Sequence, residues 1–68
     1  MHVTAVLTAA PEGGYTAYNP ETGTTTQGDT LDEALANLRE AVELYLEEFP
    51  MVPGPAPLVT TLSILEHA

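Results

Sequence analysis

The feature that most constrains the fold is one amphipathic helix with a clear start signal and a clear stop signal. Thr30 is followed three residues later by Glu33, the capping-box pattern that opens helices. Pro50 cannot continue a helical hydrogen-bond ladder, so the helix is predicted to begin at Leu31 and to end one or two residues before that proline. Apolar residues between them recur at helical spacing and form one stripe: Leu31, Ala34, Leu35, Leu38, Ala41, Val42, Tyr45 and Phe49.

Three short segments ahead of this helix have the composition and period of β-strands. Residues 2–9 carry apolar side chains at alternate positions, which is typical of a half-buried strand. Residues 15–18 and 24–27 are rich in tyrosine and threonine, which suit a pleated surface. Proline and glycine in residues 10–14 and 19–23 supply the turns between them. The sequence therefore predicts an antiparallel meander of three strands.

A proline-rich connector, residues 51–57, follows the helix, and residues 58–65 then alternate again. We read residues 58–65 as a fourth strand, reached by a right-handed crossover that lays the helix across one sheet face. The predicted fold class is α+β, in the order β-β-β-α-β. It is a four-stranded, mostly antiparallel sheet with one helix packed on one face, in a single domain spanning residues 1–68.

The charge balance excludes whole classes of ligand. Ten acidic residues face a single basic one, Arg39, and the formal net charge is −9. Nothing in the chain could neutralise a phosphate backbone, so we expect no direct binding of DNA or RNA. No apolar run is long enough for a membrane span, and the N-terminus lacks the pattern of a signal peptide. We therefore expect no membrane association and a cytoplasmic location; the absence of cysteine is compatible with that.

Chain length favours self-association. A domain of 68 residues buries only about 60% of its unfolded surface, and this one has no disulfide to compensate. One helix covers one sheet face, which leaves the other face, with Val6 and the predicted strand residues Val59 and Leu65, open to water. We therefore expect a homodimer or higher homo-oligomer, formed through this face or through an edge strand.

Several short strings along the chain resemble the HicB-like antitoxin family. They cover roughly residues 3–48 and include one fairly specific string, Thr-Gln-Gly-Asp-Thr followed by Glu-Ala. The matching residues are Gly13 to Tyr18, Pro20 and Glu21, Thr26 to Thr30, Glu33 and Ala34, Asn37, Glu40 and Ala41, and Tyr45 to Glu47. The resemblance implies a partial RNase H-like fold, a dimer or higher oligomer, and pairing with a small basic toxin that degrades messenger RNA.

This chain departs from the family pattern in two places. Many family members carry a cysteine shortly before the Thr-Gln-Gly-Asp-Thr string, where this chain has Glu21 to Thr25 and is one residue shorter. Full-length family antitoxins also append a DNA-binding segment, whereas this chain ends at Ala68 with no basic helix. We therefore expect no operator binding by this chain itself, which fits a stand-alone descendant of the family.

Two groups of residues are candidates for function. The acidic helix face, with Glu40, Glu43 and Glu47, is the candidate partner-binding surface, because carboxylates attract and steer a cationic partner. The alternative is an ordinary solvated helix face. A second group reads mainly as structural, with glycines for turns and Thr30 as helix cap: Gly13, Gly14, Gln27, Gly28, Asp29, Thr30 and Glu33.

The sequence gives little support to catalysis, a metal or a cofactor. A two-metal nuclease needs carboxylates converging from several strands, and the three predicted strands before the helix contain none. His2 and His67 lie at opposite chain ends without a spaced partner, and Ser63 lacks the glycines of a nucleophile elbow. We therefore predict a non-enzyme with no cofactor. The resemblance to HicB-like antitoxins implies that it binds and neutralises a small basic toxin that degrades messenger RNA. The alternatives are a stand-alone oligomeric scaffold or regulatory adaptor and, more distantly, a divergent metal-dependent hydrolase.

Overall fold

A computed structural model describes residues 1–52, 54–55 and 57–65 and confirms the α+β class. The elements are β1 (Val6–Ala9), β2 (Tyr15–Asn19), β3 (Thr24–Gly28) and α1 (Leu31–Glu48). The strands form one antiparallel sheet in the order β1-β2-β3. Both predicted turns are formed, and the helix begins and ends within the predicted limits.

The core lies between the central strand and one face of α1. Ala17 of β2 is fully buried beneath three helix residues, Ala34, Leu38 and Val42. Leu7, Tyr15 and Leu46 pack against this cluster from its edges. An alanine at the centre of the sheet lets the helix backbone approach closely, so a core of few and small side chains is still well packed.

The predicted helix stripe was too wide. Leu31, Leu35, Tyr45 and Phe49 remain exposed, while Leu46, which the stripe omitted, is half-buried. A sheet of three strands is narrow, so it covers mainly the line of residues four apart that begins at Ala34. The exposed aromatics pack on each other instead, with the Tyr45 and Phe49 ring centroids 5.0 Å apart.

The predicted first strand was too long. Residues 2–5 are not part of the sheet, and β1 begins at Val6, opposite Tyr18. The next residue of β2, Asn19, holds the N-terminal segment with its side chain, because its amide nitrogen donates to the Thr4 carbonyl at 2.7 Å. A side chain therefore replaces the strand ladder at this point.

The prediction of a fourth strand in this chain's sheet was wrong. Residues 57–65 carry no strand assignment, and their large apolar side chains are exposed. The alternating pattern is a real sequence property, but a strand also needs a hydrogen-bonding neighbour, and this segment pairs with none of the described residues of its own chain. The predicted crossover is absent from the described residues for the same reason.

The sheet face opposite the helix is more polar than predicted. Alternation from the buried Ala17 places six residues on it, four of them with polar aliphatic side chains: Val6, Thr8, Thr16, Tyr18, Thr25 and Gln27. Val59 and Leu65, which were predicted to contribute to it, lie in the exposed segment outside the sheet. A threonine-rich face is compatible with water and does not itself require a covering partner.

Candidate partner-binding surface

The acidic stripe of α1, defined as Glu40, Glu43 and Glu47, lies on the exposed side of the helix. At about 100° per residue, the three carboxylates fall within about 60° of one another and on the side away from the buried Leu38. The helix bearing them is packed on the sheet by Ala34, Leu38 and Val42. The fold therefore brings the three predicted residues together on a rigid support.

Arg39 lies beside this stripe and lines one side of a groove. The groove runs between α1 and the N-terminal residues 1–5, and both Arg39 and Glu43 line it. These two side chains are four residues apart on the helix, a spacing at which opposite charges attract. One cation next to three carboxylates leaves the stripe with a net negative charge, which suits a positively charged partner.

The predicted structural motif gathers at one end of the sheet, which we call the glycine end. Six of its seven members line an open groove there: Gly13, Gly14, Gln27, Gly28, Asp29 and Glu33. Gly13 and Gly14 have φ of 105° and 79°, values that favour glycine, so both belong to the turn for conformational reasons.

Gly28 is required by a close approach rather than by its backbone angles. A Cβ atom at this position would clash with the Ala34 backbone nitrogen, well inside the closest normal contact. The first turn of α1 therefore sits directly on the end of β3. Gly14 is similarly confined, because a Cβ there would lie 2.8 Å from the Gly28 carbonyl oxygen.

Thr30 caps α1 as predicted, and Glu33 differs in detail. The Glu33 backbone N–H donates to the Thr30 hydroxyl oxygen at 3.1 Å. The Glu33 carboxylate accepts from the backbone N–H of Asp29 at 3.3 Å, one residue earlier than the reciprocal bond that a capping box predicts. Two further bonds join helix to strand: the Thr26 hydroxyl donates to the Ala34 carbonyl, and the Asn37 amide donates to the Gln27 carbonyl.

At the opposite end of the sheet lies a hydrogen-bonded cluster that sequence reasoning missed; we call this the amide end. Asn19 is fully buried there, and its amide nitrogen donates to the Thr4 carbonyl at 2.7 Å and to the Glu21 carboxylate at 2.6 Å. Its amide oxygen accepts from the backbone N–H and the hydroxyl of Thr22, at 2.9 and 2.7 Å. None of the described buried side-chain polar atoms lacks a partner.

Glu21 completes this cluster as an acceptor. Its carboxylate receives the Thr4 hydroxyl at 2.7 Å and the Thr4 backbone N–H at 2.8 Å. These two bonds hold the pKa of the Glu21 carboxyl below its ordinary value, although partial burial opposes the shift. The bond from Asn19 lowers the same pKa by a smaller amount. The available signal was an asparagine at a strand end followed by Pro-Glu-Thr-Gly, where an amide can bond to nearby backbone.

The remaining predicted candidates are scattered. His2 is exposed in the N-terminal segment, Ser63 is exposed in the C-terminal segment, and His67 lies outside the described residues. Tyr15 packs against the core, while Tyr18 is on the open sheet face. Within the part of the chain that the structure describes, no three His, Cys, Asp or Glu side chains are grouped closely enough to hold a metal ion. No helix among those residues is long and apolar enough to cross a membrane.

Comparison with known proteins identifies the family to which the chain belongs. Residues 4–53, which contain the whole sheet and α1, match the model of a family of unknown function, DUF7387. The chain belongs to the DUF7387 family. The match includes the glycine end, the amide end and the acidic stripe, and stops before the exposed C-terminal segment.

Two curated relatives come from the cyanobacterium Synechocystis. The UPF0150 protein ssr1765 is 42% identical over 67 residues, covering 91% of this chain and 85% of the relative. The UPF0150 protein ssl0738 is 47% identical over 47 residues, covering 68% of this chain and 65% of the relative. No solved structure matches. This DUF7387 chain is thus also a member of the small UPF0150 group.

Proposed function

We propose that this protein is a non-catalytic HicB-like antitoxin, or a protein derived from one. It binds a small basic toxin that degrades messenger RNA, in the cytoplasm, and occludes the toxin's active site. The observation that carries the proposal is the acidic stripe, a group of three exposed carboxylates on the outer face of a rigid helix in a chain of net charge −9.

Repulsion between the carboxylates of the acidic stripe destabilises α1 in the isolated protein. Like charges three or four residues apart oppose a helix by about 0.2–0.5 kcal/mol per pair. Glu40, Glu43 and Glu47 supply two such neighbouring pairs, and only Arg39 lies alongside to offset them. A cationic partner removes this repulsion when it binds, and the negative field accelerates its approach.

The likeness of the sequence strings to HicB-like antitoxins adds the second line of support. Those strings fall on the glycine end, on β2, on the amide end and along α1, all within the region shared with DUF7387. A partial RNase H-like architecture is part of the same proposal and needs one more strand beside the three-stranded sheet.

The test is capture of a partner and assay of its activity. Tagged protein is incubated at low salt with lysate of its native host, and small basic proteins that co-purify in stoichiometric amount are identified by mass spectrometry. Each is then produced alone and assayed for RNA cleavage with and without this protein. We expect one ribonuclease whose cleavage is suppressed and whose binding weakens as salt is raised.

A matched pair of variants tests the surface. The E40Q/E43Q/E47Q variant removes three negative charges from the stripe, and E12Q/D29N/E48Q removes three exposed ones elsewhere. We expect at least tenfold weaker partner binding from the first variant and little change from the second. Equal weakening by both variants would mean that only the net charge of the protein matters and that the acidic stripe is not the binding surface. Capture of the tagged protein alone, with no partner, would contradict the antitoxin function.

A stand-alone oligomeric scaffold or adaptor is the second candidate. The exposed apolar segment of residues 58–65 favours it, because such a segment in a small acidic protein is suited to joining copies of the chain. The same capture experiment separates the two, since a scaffold without a toxin returns no ribonuclease.

A further inference from the structure

The C-terminal segment, residues 58–65, has the pattern of a strand but touches no sheet. Its five large apolar side chains are between 61% and 102% exposed: Leu58, Val59, Leu62, Ile64 and Leu65. The segment contains no charged residue. Apolar side chains in such number are rarely exposed to water on a folded monomer, so we expect the segment to be buried against another surface.

The same chain has a largely apolar groove that is also open, with Arg39 and Glu43 on its helix side. It lies between the N-terminal residues 1–5 and α1, and its apolar lining comes from Met1, Val3, Leu35, Leu38, Val42 and Leu46. The groove adjoins the edge of the sheet, because residues 1–5 lead directly into β1 and β1 has a neighbour on one side only. An added strand would therefore find unpaired backbone groups beside apolar side chains.

The alternating pattern of the segment suits this groove. Alternate residues of an added strand face the same way, so Leu58, Leu62 and Ile64 would face α1 together. The uncharged segment also avoids burying a charge against the groove's apolar lining. A backbone ladder with alternate side chains in a groove is a recurrent mode of peptide recognition.

The connector favours a second copy over the same chain. Residues 50–57 carry four of the six prolines of the protein, a composition that makes a linker stiff and extended. None of residues 58–65 lines the groove of its own chain, and their large apolar side chains are exposed. The radius of gyration is 14.1 Å, against about 11 Å for a compact chain of this length. A linker that resists folding back favours exchange of an element between copies.

We propose that residues 58–65 of one copy bind as an added strand in the groove between residues 1–5 and α1 of a second copy. Exchange is reciprocal, so one twofold dimer closes both grooves and covers both segments. This supplies the strand missing from the three-stranded sheet, and the inference is independent of any toxin.

Engineered disulfides distinguish exchange from folding back, since the natural chain contains no cysteine. Ala5→Cys is combined in turn with Thr61→Cys, Leu62→Cys and Ser63→Cys, three positions that together allow for the unknown register. After mild oxidation, denaturing non-reducing electrophoresis is expected to give a covalent dimer for at least one pair. A disulfide closed within one chain, or no disulfide in any pair, would overturn the proposal.

Single variants serve as controls for the crosslink. Ala5→Cys alone and each segment variant alone are expected to stay at monomer mass on the denaturing gel. A dimer band from a single variant would indicate a different contact between copies and would count against the exchange.

Light scattering with the unlinked protein tests the same contact. The natural chain is expected at twice its 7.2 kDa mass at micromolar concentration. Leu62→Asp with Ile64→Asp should give a monomer, whereas Thr61→Asp with Ser63→Asp, on the other side of the strand, should retain the dimer. Far-UV circular dichroism checks that the variants remain folded, and a natural chain that is monomeric throughout would overturn the proposal.

Discussion

The two ends of the sheet are secured by different physics. At the glycine end, Gly14 and Gly28 have no side chains, and backbone from the turn, β3 and α1 meets at distances that no Cβ would allow. At the amide end, the contact is polar, and the Asn19 side chain bonds to four groups around it. One end tolerates no added atom, and the other tolerates no lost hydrogen bond.

This difference determines which substitutions each end can absorb. A packed backbone contact has no flexible group that can move aside, so an extra methyl shifts the helix itself. A buried hydrogen-bonded cluster keeps its shape when a side chain is shortened, but its former partners are then buried without partners. The comparison predicts that adding an atom is worse at the first end and that removing atoms is worse at the second.

The largest effect is expected from Gly28→Ala. The new Cβ would clash with the Ala34 backbone nitrogen, so β3 and the start of α1 must move apart. We expect the free energy of unfolding to fall by about 3 kcal/mol, the upper part of the range for overpacking. Urea denaturation followed by circular dichroism measures the loss.

Gly54→Ala is the matched control for that change. A Cβ at Gly54 has no neighbour within 4 Å, and its φ lies outside the region that favours glycine. The same one-methyl addition should leave stability unchanged or raise it slightly, by restricting the unfolded chain. If Gly28→Ala were equally harmless, the close contact between β3 and α1 would not exist in solution.

At the amide end, Asn19→Ala is expected to have the next largest effect. It removes the donor to the Thr4 carbonyl and the acceptor for Thr22, and it leaves those groups partly buried without their partner. We expect a loss of about 2 kcal/mol in the free energy of unfolding, measured by the same denaturation.

Asn37→Ala provides the comparison for an exposed amide. Asn37 donates to the Gln27 carbonyl at 2.7 Å, but that bond is open to water, which can replace the lost donor. Its loss should be at most about 0.5 kcal/mol, as for most surface changes. Equal losses for both variants would mean that burial adds nothing to the Asn19 bonds.

Local sequence signals predicted the elements that depend on local physics. Thr30 and Pro50 set the limits of α1, and paired glycines predicted the first turn, because caps and turns are decided by a few adjacent residues. The α+β class followed from these elements. The acidic stripe also follows from helical spacing alone, whereas its role as a binding surface stays a prediction.

Features that depend on residues far apart in the chain could not be predicted from local sequence signals. The pattern of residues 58–65 is that of a strand, but a pattern does not say which chain or edge will pair with it. Asn19 was interpreted only as a turn residue, because its partner Thr4 is 15 positions away and nothing in either residue type announces the other. Gly28 was interpreted as a turn glycine, whereas its actual constraint is the backbone of Ala34.

The smallest expected effect concerns Glu21 and depends on pH. Its pKa is lowered in the folded protein by the Thr4 bonds, so folding favours the ionised carboxylate. That stabilisation is complete above the ordinary glutamate pKa, and it is lost as pH falls through the lowered folded pKa. Urea midpoints from pH 7 to pH 2 should therefore differ most between the natural chain and Glu21→Gln at neutral pH, and converge in acid.

Glu12→Gln tests whether this convergence belongs to the amide end. Glu12 is exposed in the first turn, so Glu12→Gln should not reproduce the loss of stability that Glu21→Gln shows at neutral pH. Both variants relieve the same unit of negative charge in a protein of net charge −9, so general repulsion cancels between them. A Glu21→Gln difference that grew as pH fell would mean that the carboxylate destabilises the amide end, and the acceptor role assigned to Glu21 would be wrong.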